Sequence, residues 1–378
     1  MLVCAITQAQ TLYWDTNGTD AGAGTTADGT WDDVTSNWTT DSTGASATNT
    51  YTSDSEVVFS AGSDVSTANV TMAADQYASS LRFEEGDVTV SGSAVLWNVA
   101  TITVDSGATA NIMNSWIRSN PTLVVEGTMN ANYVGSGGSF EKQGSGTLTA
   151  NRIGGNLDVL EGTVEVTGTN GKIKSLDIFA GATFITNTGS TFGSSGQSVT
   201  VDGTFEIGVG ISGKTIGALD GGGTIIGNTG SVLTVGSTST FDGDITGELN
   251  LNTTSTLTLS DGSSMEFTVD GDGISNMLSG SGTMNLDGDF IFDLAGADLT
   301  QGNSWTIVDL ANISANYGGT FNVVDFTESS GVWTSDSNSD LVFSESTGQL
   351  TVIPEPSTLA LLGLSMVAGV VLIRKRKS

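Results

Sequence analysis

Glycine recurs through the middle of the chain at Gly86, Gly107, Gly127, Gly146, Gly162, Gly181, Gly203, Gly223, Gly243, Gly262 and Gly282, at intervals of 16 to 22 residues. Each opens a short segment rich in Thr, Val, Leu and Ile, such as GTLTAN at Gly146 or GTFEI at Gly203. Apolar positions within the units fall two apart, as in Leu257 and Leu259 or Phe267 and Val269, the period of a strand buried on one side. A β-patterned unit repeated about every 20 residues is the signature of a solenoid. The expected fold is therefore all-β: a right-handed parallel β-helix over residues 86–289. Parallel stacking superposes like residues, so Thr and Asn ladders are expected outside and Val, Ile and Leu ladders inside. An antiparallel β-sandwich also uses short strands and frequent turns, but it does not require periodic Gly-Thr marks.

Residues 11–85 and 290–352 depart from the period and are expected to form atypical β regions that cap the rod, because an open solenoid end exposes core and unpaired strand edges. The first contains Trp14, Trp31 and Trp38, the second Trp305, Phe321, Phe326 and Trp333. Capping explains both aromatic groups. The alternative for Trp14, Trp31 and Trp38, in their polar, Gly- and Thr-rich context, is a sugar-stacking platform, which needs exposed ring faces.

The 378 residues include 41 Asp and Glu against 11 Lys and Arg, a net charge of −30. Such a body lacks the basic footprint that nucleic acid or anionic lipid requires. Histidine is absent, which removes Ser-His-Asp and Cys-His catalysis and most catalytic zinc sites. The single Cys4 can form no internal disulfide. A glycosidase needs only two carboxylates, and Arg82, Arg118 and Arg152 could orient an acidic sugar, so a polysaccharide-degrading β-helix is a third-ranked reading. Fold analogy is a poor warrant for activity, and the expectation is a protein without catalysis. The glycine-rich stretch from Gly221 to Gly227 lies between β units with no following helix, and is not a nucleotide site.

Acidic residues precede the repeat glycine at Glu85, Glu126, Glu161, Asp202, Asp242 and Asp261, and stacking in register would set them along one corner of the rod. Asp-Gly and Glu-Gly suit the turn by themselves. The functional alternative is weak calcium binding, with Asp242, Asp261, Asp270 and Asp272 as candidates and Asp287 and Asp289 beside them. None completes an EF-hand loop. No other cofactor is expected.

The two ends carry addresses. Residues 1–10, MLVCAITQAQ, are similar to the end of a signal peptide without its basic start. Leu359 to Ile373 is an uncharged apolar run, followed by Arg374, Lys375, Arg376 and Lys377. As a helix its 15 residues would rise about 22 Å, a short membrane span. The basic stop would remain cytoplasmic and place the body outside the cytoplasm.

Pro354, Glu355 and Pro356 stand directly before that run. The motif, apolar helix and basic tail of residues 353–378 together resemble the bacterial PEP-CTERM sorting signal. The resemblance implies recognition by an exosortase, a membrane peptidase, and passage to the cell surface, with membrane anchoring through the C-terminal helix before processing. A second resemblance covers residues 139–168. Lys142-Gln143-Gly144-Ser145-Gly146-Thr147-Leu148-Thr149, followed by Leu160-Glu161-Gly162-Thr163-Val164, is similar to the autotransporter-associated β-strand repeat. The resulting expectation is an exported structural or adhesive protein of the cell surface or extracellular matrix, with polysaccharide as partner. Carbohydrate binding is the alternative.

Overall fold

The computed structural model describes residues 10–168, 171–187, 196–211 and 213–353, without the side chains of residues 114 and 115. Among these residues every regular element is a strand, and nearly all pair in parallel. Each turn visits three ladders in the same order. The first includes Thr122–Val125, Ser198–Val201 and Thr283–Leu286; the second includes Thr163–Val166, Thr204–Ile207 and Asp244–Gly247. The third carries residues 95–97, 116–117 and 133–134, and later Lys214–Ile216, Val232–Val235 and Asn250–Thr253. This is a parallel β-solenoid, as the period predicts.

Register follows the repeat. Thr109, Thr128, Thr147, Thr163, Thr183, Thr204 and Thr224 pair one above the next at the start of the second ladder. The residue after each points inward, so Ala110, Met129, Leu148, Val164, Phe184, Phe205 and Ile225 form a buried column. Asparagine ladders run outside, with Asn130 donating to Asn111 at 2.8 Å and Asn151 to Asn132 at 3.1 Å. Between the first and second ladders stand the repeat glycines. A Cβ on Gly146 would collide with the carbonyl oxygen of Gly127, one on Gly223 with that of Gly203, and one on Gly243 with that of Gly223. At these three positions close approach of successive turns, rather than an unusual φ, requires glycine.

The parallel stack extends past both expected boundaries. Residues 11–13 pair in parallel with 56–58, and Gly29–Trp31 with residues 70–72, so 11–85 contributes the first turns rather than a separate region. At the other end Ser314–Tyr317 and Asn322–Val323 are still rungs of the ladders. The C-terminal cap is an antiparallel five-stranded sheet built from Ser304–Thr306, Phe326–Ser329, Val332–Ser335, Leu341–Ser344 and Gln349–Val352. Its Trp333 and Phe343 meet Phe321 and Phe290 of the last rungs at ring distances of 5.5 and 5.9 Å.

Trp14, Trp31 and Trp38 are each fully buried. Trp38 lies edge-on to Trp14 at 4.9 Å and to Trp31 at 5.4 Å, with Tyr51 and Phe59 completing the cluster. No ring face is left for a sugar, so the stacking platform raised as the alternative for Trp14, Trp31 and Trp38 is corrected: the three indoles plug the first turns. The physical reason is volume, since an end turn has a neighbour on one side only and bulky rings fill it.

Candidate functional site

The third ladder carries an outward cluster that the glycine marks do not announce. Strand alternation sends Gln76, Leu96, Ile117, Val134, Ile153 and Ile173 inward. Their neighbours Tyr77, Trp97, Trp116, Arg118, Tyr133, Arg152, Lys172 and Lys174 therefore face out. Register brings them together. Tyr77 pairs with Trp97, Trp116 with Tyr133, and Tyr133 with Arg152, while Lys172 stands beside Gly154. A Cβ on Gly154 would strike the Tyr133 hydroxyl, so glycine there makes room for the ring.

Rings and cations interleave. Tyr77 and Trp97 stack at 6.4 Å and 17°. The Arg118 guanidinium lies 4.8 Å from the Trp116 ring centre and 5.9 Å from that of Trp97. The Arg152 guanidinium lies 5.2 Å from the Tyr133 ring centre. Such cation–π contacts hold a guanidinium plane in place. Asp75 anchors one end, accepting from Trp97 Nε1 at 3.1 Å and from the Val95 amide at 2.9 Å. Lys174 Nζ donates to the Gly137 carbonyl at 2.8 Å. Trp116, Arg118, Tyr133, Ser136, Arg152 and Lys172 line a depression in this face.

The rest of the body's positive charge is spent elsewhere. Arg82 pairs with Glu84 at 3.1 Å and with Asp105 at 2.8 Å. Lys142 and Lys214 are buried. Lys142 takes a core position between Leu123 and Val159, and its Nζ donates to the carbonyls of Gly144, Gly146 and Glu161 at 2.5, 2.7 and 3.0 Å. That cage explains the Lys-x-Gly-x-Gly spacing of 142–146 as a structural device. Burial lowers Lys142 to about 8, opposed by Glu126 and Glu161, and lowers Lys214 to about 7.

The acidic corner serves the backbone. Glu126 accepts from the amide and hydroxyl of Ser145 at 3.1 and 2.8 Å, and the hydroxyl first, then the amide, hold its carboxyl below the ordinary range. Glu85 accepts from the Val65 amide, Glu161 from that of Gly144 and Asp202 from that of Gly222. Asp242 accepts from the Gly262 amide and Ser260 hydroxyl, and Asp272 from the Ser304 amide. Asp261 and Asp270 are exposed. Among the described residues no group of three acidic side chains could hold a metal ion, so the calcium candidates do not come together as a site. Asp289 is tied to Asn322 at 3.2 Å.

The sequence reading named Arg118 and Arg152 but neither joined them nor included the aromatic partners. The available signal was the repeat itself: aligned turn by turn, Tyr77, Trp97 and Arg118 fall about one period apart, as do Trp116, Tyr133 and Arg152.

Pro354, Glu355, Pro356, the apolar run and the tail Arg374, Lys375, Arg376 and Lys377 lie outside the described residues, as do residues 1–9. Among the described residues no helix is long and apolar enough to cross a membrane. A family model, the PEP-CTERM protein-sorting motif, matches residues 352–377. The match implies export, membrane anchoring before processing and an exosortase as the processing partner. No curated protein and no solved structure matches the chain.

Proposed function

We propose that this exported, exosortase-sorted protein is a structural and adhesive rod of the cell surface or extracellular matrix, and that it holds polysaccharide through the strip from Tyr77 to Lys174. The sorting motif at residues 352–377 supports the destination. The likeness of residues 139–168 to autotransporter-associated repeats agrees with surface display. The observation that carries the adhesive reading is the interleaved pile of Trp97, Arg118, Trp116, Tyr133 and Arg152, because aromatic rings with an apolar body and a polar edge suit sugars. In this reading the body binds without turning its ligand over. The test is retention of the full chain, in mild detergent, on its host's extracellular polysaccharide. The joint Trp116→Ala and Tyr133→Ala variant should lose retention, and retention unchanged in that variant would defeat the reading.

A further inference from the structure

We infer that the ligand of the strip is an acidic polysaccharide, with sugar carboxylates held by Arg118 and Arg152 and the polymer laid along the rod axis. This rests on the glycan-binding reading and adds the ligand's charge, contacts and direction.

Charge segregation is the first argument. In a chain with a net charge of −30, the outward cations Arg118, Arg152, Lys172 and Lys174 share one face. Among the described residues Arg118 and Lys172 have no salt-bridge partner, although Arg82 has two. A polyanion repelled by the rest of the body meets here Arg118 and Lys172, outward cations without a salt bridge among the described residues.

Geometry is the second. Arg118 lies over Trp116 and Arg152 over Tyr133, so a sugar that meets these rings also meets a guanidinium beside each of them. A guanidinium fixed against a ring still presents its in-plane N–H groups, and that fork matches a carboxylate bidentately.

Spacing is the third. Tyr133 separates Trp116 from Arg152 by one rung on each side, so Arg118 and Arg152 stand two turns apart, about 10 Å along the axis. Two linked sugar rings span a similar length. Alternate uronates of one chain therefore meet the two arginines in succession.

The test uses the full chain in mild detergent and two probes: polygalacturonate oligomers, and the same oligomers with their carboxyls reduced to alcohols. The charged form should bind at least tenfold more tightly. The difference should vanish in the joint Arg118→Gln and Arg152→Gln variant, whose circular dichroism and melting should match the parent. It should shrink strongly in Arg118→Lys with Arg152→Lys, which keeps charge and loses the fork. Equal binding of both oligomers would overturn the charge assignment and leave the glycan reading standing. Binding of neither would overturn both. Oligothymidylate bound as tightly as polygalacturonate would overturn the sugar assignment.

Discussion

The carbonyl oxygen of Gly203 occupies the space that a Cβ on Gly223 would need, one turn further along the rod. Gly222, the preceding residue, has its nearest such neighbour at 3.9 Å, in ordinary contact. Gly223→Ala should therefore cost about 1–3 kcal/mol through overpacking, while Gly222→Ala should be neutral or slightly stabilising. Paired urea melts of the two variants check this, and equal effects would remove turn-to-turn contact as the reason for the repeat glycine.

Buried and exposed tryptophans should separate stability from binding. Trp31 is fully buried among Trp38, Tyr51 and Phe59, so Trp31→Ala should cost about 3–5 kcal/mol. Trp116 is 37% exposed and its ring meets Tyr133 and Arg118, so Trp116→Ala should cost about 1–2 kcal/mol, clearly less than Trp31→Ala, while weakening polysaccharide retention. Melting and retention measured on both variants should give opposite patterns.

Stability should rise with pH between about 7 and 10. Burial holds Lys142 at about 8 and Lys214 at about 7, whereas an unfolded lysine titrates near 10.4. Between those values the unfolded chain keeps protons that the folded chain has released, so raising the pH favours folding; below the folded values both states are protonated and the contribution is flat. The carbonyl cage favours the charged form of Lys142, and Lys214, with the lower folded value, is the larger contributor. Above about 10 the trend reverses, because burial raises Tyr51 and Tyr317 and the unfolded tyrosines ionise first. No histidine contributes to this window. Urea midpoints at pH 6.5, 8, 9.5 and 11 should trace a maximum near pH 10, and Lys214→Met should flatten the rising limb.

The solenoid was legible because stacking superposes residues one period apart, so Thr128 over Thr147 appears in the chain as a repeated Gly-Thr. The plug was legible in part: the aromatic residues outside the period pointed to capping, while the Gly and Thr around Trp14 and Trp31 left an exposed platform open as the alternative, which their burial removes. The strip was hidden. Trp116, Tyr133 and Arg152 sit opposite the marked corner, with different residue types in each turn, and only register joins them. The sorting motif needed no fold, since contiguous Pro354, Glu355 and Pro356 carry it.

The most direct measurement is intact mass and cell fractionation of the protein from its native host, beside a variant with Pro354, Glu355 and Pro356 replaced by alanine. The account predicts a surface or matrix form of the wild type that has lost the apolar run and basic tail, and a variant that keeps both and stays in the membrane. Wild-type protein that keeps its C-terminal segment in the membrane, or a variant processed like the wild type, would contradict it.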